Sequence, residues 1–269
     1  MEPSAWAVAM GAIVGLVLAL TGAGGGVLAI PLLVFGLHLQ VQQAAPVGLV
    51  AVGLAAAVGT VLGLREGIVR YRAAALIGVA GMLIAPLGIT LAQWLPNRPL
   101  LATFALVLAY TAWRILIMQP ALQPQRRQEV PCLVGYTDQR LTWTLPCARA
   151  LASTGLLSGL LSGMLGVGGG FVIVPALTRY TDLDIRSIQV TSLAVIALVS
   201  VSGVCAAAWH GAVPWDVALP FGTGAMLALL IGRRVAGQLN TRHLQQAFAW
   251  ICVLVALLML ASALGWLAR

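Results

Sequence analysis

The chain has 269 residues, of which 61% are hydrophobic and 8% are charged, with a net charge of +8. Soluble domains carry about 25% charged residues, so this composition excludes a soluble globular domain and indicates a chain solvated by lipid. The fifteen basic residues are all Arg, and they lie in short gaps between apolar segments rather than on one basic face. We therefore expect no nucleic-acid partner.

Apolar segments in chain order predict transmembrane helices. Two pairs of shorter segments, 5–20 with 27–37 and 148–164 with 170–178, are each interrupted by a glycine-rich break. The second segment of each pair is too short to span a bilayer of ~30 Å alone. The other segments are long enough to cross as helices, and they lie at 44–64, 73–95, 99–118, 187–209, 214–232 and 245–267.

The two halves of the chain are copies of one unit. Between residues 22 and 104, 22 of 83 pairs are identical when the sequence is shifted by 144 residues without a gap. Roughly one identity in ten would be expected from this composition. The matches include Gly22, Gly24, Gly25, Gly26 and Pro31 with Gly166, Gly168, Gly169, Gly170 and Pro175. We predict a first repeat at 1–118, a cytoplasmic linker at 119–147 and a second repeat at 148–269.

The distribution of Arg predicts the orientation in the membrane. If each broken pair crossed once, the loops would divide the Arg nine against six. If each pair is a hairpin, thirteen Arg lie on one side, and only Arg98 and Arg269 lie on the other. The positive-inside rule favours the hairpins, with both termini periplasmic and the protein in the inner membrane. A hairpin plus three crossings is an odd unit, so the second copy is inverted.

The predicted fold class is therefore an all-α polytopic membrane protein with two inverted repeats, each a broken-helix hairpin plus three transmembrane helices. Inverted repeats with broken helices at the midplane are typical of secondary transporters. The second hairpin legs, starting at about Val27 and Phe171, would point free N–H groups and positive dipole ends at the protein centre. Glycine lets an anion approach those groups closely, so we predict a small-anion site between the breaks.

Hydroxyl and amide side chains near the breaks add candidate donors. The second repeat has three of them, Gln189, Thr191 and Ser192. Their counterparts in the first repeat are Ala45, Val47 and Gly48, so a site formed by these side chains would be asymmetric. Hydroxyls in membrane helices can instead bond their own backbone. The candidate substrate-binding residues are Thr21, Gly24, Gly25, Gly26, Ser162, Gly168, Gly169, Gly170, Gln189, Thr191 and Ser192. For other recurring glycines we predict close helix packing, namely Gly11, Gly15, Gly155, Gly159 and Gly163.

Acidic residues are expected only in loops or at helix ends, so the sequence shows no intramembrane carboxylate of the kind that relays protons or cations. The pattern likewise indicates no enzyme, no metal site and no cofactor, because no His, Cys and carboxylate groups converge. The four cysteines are interpreted as structural thiols, since none has metal-binding spacing. A non-transporting membrane assembly factor is an alternative. Such a protein would carry a large partner-binding loop, whereas the only long loop in this sequence, 119–147, is short.

The segments 22–31 and 163–175, with their glycine runs followed by Pro31 and Pro175, resemble the sulfite exporter TauE/SafE family. The element 189–193, Gln-Val-Thr-Ser-Leu, is similar to that family's Ala-x-x-Thr-Ser element. The resemblance covers about 8–118 and 150–267. It implies export of sulfite, sulfoacetate or a related organosulfonate from bacteria. Val47 and Gly48 replace Thr-Ser in the first repeat, which argues against symmetric hydroxyl coordination.

The transport direction and the anion stay open at this stage. An importer or a channel for another oxyanion is the nearest alternative to an exporter. The expected partners are a small anionic substrate and the lipid bilayer, and a homodimer is one assembly open to such a chain.

Overall fold

The computed structural model describes residues 3–22, 25–117, 132, 144–236 and 241–263. Within these residues the regular structure is helical apart from an isolated bridge between Cys132 and Thr181, which confirms the all-α class. The helices are α1 (Pro3–Thr21), a 3-10 helix (Gly25–Leu28), α2 (Ala29–Gly36), α3 (Val41–Arg65), α4 (Tyr71–Trp94), α5 (Asn97–Ile117), α6 (Leu145–Leu165), α7 (Gly170–Tyr180), α8 (Ile185–Trp209), α9 (Trp215–Ala236) and α10 (Thr241–Ala263).

The long helices have the length and composition of membrane spans. Five helices in the described part of the chain, α3, α4, α8, α9 and α10, are long and apolar enough to cross a bilayer. The remaining predicted segment forms α5, a helix of 21 residues. By contrast, α2 has 8 residues and α7 has 11, so neither can cross alone. The protein is thus polytopic, with two interrupted helix pairs.

Each interrupted pair folds back on itself. In the first pair, Gly25 packs on the backbone of Leu18, and a Cβ on Gly36 would lie 2.6 Å from the sulfur of Met10. Because later residues of α2 meet earlier residues of α1, the second leg returns along the first. In the second pair, α6 ends at Leu165, and its C-cap Gly166 has a φ of 69° and donates its N–H to the carbonyl of Ser162. Thr181, just after α7, forms a bridge with Cys132, which is bonded to Cys147 near the start of α6, so the second leg returns along the first. The hairpin interpretation therefore describes both breaks.

Helices of the two halves pack against one another in equivalent pairs. α1 packs on α9 and α6 on α4, which are the same contact made twice under the shift of 144 residues, while α3 packs on α8 and α5 on α10. In the first pair Gly11 lies against the backbone of Phe221, and in the second its counterpart Gly155 lies against the backbone of Ile77. The predicted packing role is confirmed for Gly11, Gly15, Gly155, Gly159 and Gly163.

The equivalent helices α3 and α8 run antiparallel at their contact. Gly53 lies beside Ser200, and Gly63 lies beside Val190, so higher numbers in α3 meet lower numbers in α8. Each of these helices is the image of the other under the 144-residue shift. Two copies whose matching helices are antiparallel point in opposite directions at their shared contact.

Two cysteines form a disulfide, which the sequence interpretation missed. Cys132 and Cys147 are both buried and are bonded with a Cα–Cα distance of 5.0 Å, so the expectation of free thiols is wrong for this pair. The N–H of Cys132 also donates to the carbonyl of Tyr180 at 3.1 Å. The hairpin brings these segments together, and a spacing of 15 residues does not reveal that. Most of the predicted linker, 119–147, lies outside the described residues.

Candidate functional site

The two glycine-rich breaks meet in the interior of the helix bundle. A Cβ on Gly26 would lie 2.6 Å from the carbonyl oxygen of Val167, so backbone packs on backbone where the tips touch. Val52 of α3 borders Gly26 and also Gly168, and Ile196 of α8 borders Gly168 as well. Val52 and Ile196 are equivalent positions near the middles of α3 and α8. The tips therefore meet beside the middles of α3 and α8.

The first tip contacts a polar side chain of α8. The Nε2 of Gln189 donates to the carbonyl of Thr21 at 3.3 Å, and its side chain covers Gly22, where φ is +80°. The hydroxyl of Thr21 is used within α1, donating to the carbonyl of Val17 at 2.8 Å. At the equivalent place, the second tip rests on the backbone of Ala45. The first tip thus meets a side-chain amide where the second meets the backbone of Ala45.

The start of α7 forms the second tip and lacks a side-chain cap. Its N-cap residue, Gly169, has a φ of +72° and accepts a hydrogen bond from the hydroxyl of Ser158 on its carbonyl at 3.4 Å. Ser162 lies one turn further along the same face of α6, fully buried, and its hydroxyl has no hydrogen-bond partner among the described groups. Buried polar groups are almost always paired, so the Ser162 hydroxyl is an unused donor near the second tip.

The two hairpin legs begin differently. The second leg is α-helical from Gly170, close to the predicted start at Phe171. The first leg begins as a 3-10 helix at Gly25 and becomes α-helical only at Ala29. We predicted that a helix starts just after the glycines in both repeats, but only the second repeat has an α-helix there. Gly24 lies outside the described residues.

The polar residues of α8 divide between two places. Ser192 shares a helix face with Gln189 and Ile196, which lie three and four residues away, and its hydroxyl donates to the carbonyl of Ile188 at 2.8 Å. Thr191 lies on a different face, where its hydroxyl accepts from the N–H of Arg70 at 3.1 Å. The structure therefore brings Gln189 and Ser192 towards the tips, whereas Thr191 fastens the start of α4.

A small pocket adjoins the second tip at the end of the bundle where α3 begins. Its lining includes Ala45, which touches Gly166, and Gly163 of the second hairpin. At the same end, the Nε2 of Gln42 donates to the carbonyl of Leu95 at 2.7 Å. The full lining is Gln42, Ala45, Pro46, Leu49, Ile89, Ala92, Gln93 and Gly163.

The opposite end of α3 carries an ion-pair cluster that sequence reasoning did not find. The two carboxylate oxygens of Glu66 accept from Arg186 at 3.1 Å and from Arg233 at 3.2 Å. Arg233 also donates to the carbonyl of Gly59 at 2.9 Å. The sequence placed the acidic residues, Glu66 among them, in loops or at helix ends, and it used the two Arg only to predict orientation. The alignment of the two repeats contained a signal for this cluster, because Arg186 and Arg233 align with the uncharged Gln42 and Ile89. In the structure, Gln42 and Ile89 line the pocket.

The carboxylate at the start of α8 has a structural role. Asp184 caps this helix by accepting from the N–H of Ser187 at 3.1 Å. Burial acts to raise the pKa of Asp184, but hydrogen bonds from Ser187 and the nearby charge of Arg70 outweigh it and lower the pKa below 3.8. In the described residues, no three His, Cys, Asp or Glu are grouped to hold a metal ion.

Comparisons with known proteins fit this architecture. The chain is 29% identical over 254 residues to a "Probable membrane transporter protein" of Xylella fastidiosa (strain 9a5c), covering 92% of this chain and 91% of that protein. It is 24% identical to "Probable membrane transporter protein YdhB" of Bacillus subtilis (strain 168), covering 92% and 96%. No solved structure matches the chain. The model of the family described as "Sulfite exporter TauE/SafE" matches residues 7–259, and the chain belongs to this family of membrane transporters.

Proposed function

We propose that this chain is a secondary transporter that exports sulfite, sulfoacetate or a related organosulfonate across the bacterial inner membrane. The observation that carries the proposal is the buried Ser162 hydroxyl, which has no described partner, on the last turn of α6 before the second tip, where α7 starts without a side-chain cap. Hydroxyl and N–H donors at a helix N-terminus suit an anion, because they offer hydrogen bonds and a positive dipole end together. A sulfonate or sulfite supplies the acceptor oxygens that this tip lacks.

The packing of the repeats supports an alternating-access mechanism. α3 and α8 are equivalent and antiparallel, and each hairpin packs on a helix of the other half. Inverted repeats are expected to have equivalent helices that run in opposite directions and hairpins that pack on the other repeat. We propose that one half rocks against the other around the tips, which exposes the second tip to each side of the membrane in turn.

The direction of transport follows from the membrane potential. An inside-negative potential drives each negative charge outward with about 2.3 kcal/mol per 100 mV. Export of an anion therefore needs no coupling ion, in keeping with the absence of acidic residues from the middles of the apolar segments.

Reconstituted liposomes provide the test. Protein in vesicles loaded with sulfite or sulfoacetate should release the anion, and an imposed potential should change the rate in the direction expected for a moving negative charge. Taurine, which is a zwitterion at neutral pH, serves as the uncharged comparison. Release that is insensitive to voltage, or thermal stabilisation of the purified protein by cations and not by anions, would contradict the proposal.

A further inference from the structure

The two ends of the molecule differ in charge at equivalent positions. Where one end has Arg186 and Arg233, the other has Gln42 and Ile89. The structure places Gln42 and Ile89 in the lining of a pocket, and it places Arg186 and Arg233 around a carboxylate. At these two positions one mouth of the molecule is therefore cationic, and its counterpart is uncharged.

The carboxylate of Glu66 occupies the space between the two guanidinium groups. Each of its oxygens accepts from a different Arg, at 3.1 Å and 3.2 Å, which is the way two donors hold an oxyanion. The side chain of Arg233 is 20% exposed, that of Glu66 is 39% exposed and that of Arg186 is 69% exposed. Two cations against one anion leave a net positive charge, and the partial burial of Arg233 reduces the screening of its charge by salt.

The cluster lies close to a residue that contacts the first tip. Arg186 precedes Gln189 by one helical turn, and the amide of Gln189 reaches the carbonyl of Thr21 beside the glycine-rich break. On the other side of the molecule, Gln42 precedes Ala45 by one turn, and the pocket there extends to the second tip. The cluster thus fills the place that the pocket occupies at the opposite end.

We propose that Arg186 and Arg233 form a capture site for the transported anion and that Glu66 is a tethered competitor for it. This inference rests on the proposed function and adds a second station, at the cationic mouth. The ligand is an oxyanion with at least two free oxygens, such as sulfite or the sulfonate of sulfoacetate. It accepts from the two guanidinium groups in place of the Glu66 carboxylate, and no covalent bond changes.

Counterflow of sulfite and of sulfoacetate, measured separately from each side of the membrane in oriented vesicles, tests this site. Arg186→Gln and Arg233→Gln should each raise the half-saturating concentration about tenfold on the cationic side, because a charge-assisted hydrogen bond to the anion is lost. The value on the other side should stay unchanged. Glu66→Gln should lower the half-saturating concentration on the cationic side, because the competing charge is removed.

Arg234→Gln is the matched control, since Arg234 is the exposed neighbour of Arg233 and makes the same change in net charge. A purely structural ion pair would make Glu66→Gln less stable without tightening anion binding, and that result would overturn the inference. Equal values for all variants on the cationic side would overturn it as well, with the proposed function intact. Wild-type vesicles that move neither anion would overturn the proposed function and the capture site together.

Discussion

At the residue scale, a change at Ser162 is expected to weaken anion binding without lowering the stability of the fold. Its hydroxyl is fully buried, and no described group accepts or donates to it. Replacing an unpaired buried hydroxyl by a methyl group removes a desolvation cost, so Ser162→Ala should leave the melting temperature unchanged or higher. If this hydroxyl donates to the anion, the same change should raise the half-saturating concentration about tenfold or more. Thermal unfolding in detergent and flux in liposomes measure the two effects.

Ser153→Ala is the control for that experiment. Ser153 lies on the same helix, is exposed and donates to the carbonyl of Ala150 at 3.0 Å. It should leave both flux and stability close to wild type. Ser162→Ala protein that transports normally would remove the hydroxyl from the site.

The N-cap of α8 gives a prediction with a defined pH dependence. Asp184→Ala should lower the free energy of unfolding by about 1 kcal/mol near neutral pH, because the N–H of Ser187 loses its acceptor. The folded-state pKa of Asp184 is lowered below 3.8, so its contribution is present above the unfolded pKa and is lost as pH falls through the folded one. The gap between wild type and variant should therefore narrow at acidic pH, as thermal unfolding across a pH series would measure. Asp184→Asn keeps an acceptor at this position and should stay close to wild type at neutral pH, whereas a gap that persists undiminished in acid would contradict the assignment.

Residue roles were only partly readable from the sequence. The glycines of the tips were found because they recur in both repeats at one offset. Thr191 was grouped with Gln189 and Ser192 because the three are near neighbours in sequence, yet a helix turns about 100° per residue, and Thr191 faces the start of α4. Ser162 was selected for its proximity to the break, but its lack of a described partner is visible only in three dimensions.

At the scale of helices, the glycine contacts between α4 and α6 resist any added side chain. A Cβ on Gly159 would lie 2.6 Å from the Cα of Gly81, which cannot move without shifting a helix. Gly159→Ala should therefore destabilise the protein by about 1–3 kcal/mol despite the better helix propensity of Ala. Its counterpart Gly15→Ala, which meets the backbone of Ala225, should behave alike. Thermal unfolding of the purified variants measures both.

Gly203→Ala is the matched comparison, because it makes the same chemical change inside α8. The nearest atom to its new Cβ is Cδ1 at the end of the Leu49 side chain, at 3.0 Å, and that side chain can rotate. It should be close to neutral. Equal losses for Gly203→Ala and Gly159→Ala would show that backbone contact is not the cause.

Helix identity was largely predictable, because runs of about 20 apolar residues leave little choice of structure in lipid. The start of the first hairpin leg was less so. The 3-10 turn from Gly25 to Leu28 arises where the tip packs against Leu18 and Val167, and neither contact is encoded locally. The ion-pair cluster escaped for the same reason, since it joins the ends of α3, α8 and α9.

The orientation of the whole molecule is open to a direct test through the disulfide. The Arg count predicts that the linker carrying Cys132 faces the cytoplasm, where thiols are kept reduced. A linker in the cytoplasm would keep Cys132 and Cys147 as free thiols in living cells, and the disulfide of the structure would form only under oxidising conditions. Alkylation of intact cells with a membrane-permeant maleimide, followed by a gel-shift assay, reports whether this pair is reduced or bonded.

A background with Cys205→Ser and Cys252→Ser isolates this pair, because these two are the free cysteines of the described residues. A pair found fully oxidised inside growing cells would place the linker in the periplasm and reverse the predicted orientation. The cationic mouth would then face outward, and the proposed direction of capture would reverse with it.

The interlocked helices also bear on how the protein is made. Gly11 rests on Phe221, so the first helix enters the membrane long before its partner exists. At ribosomal rates of about 5–20 residues per second, the interval is roughly 10–40 seconds. During that time the glycine packing positions of α1, Gly11 and Gly15, face lipid or a chaperone. A chain that stops after the first repeat therefore lacks the helices on which α1, α3, α4 and α5 pack, and it leaves their packing surfaces exposed.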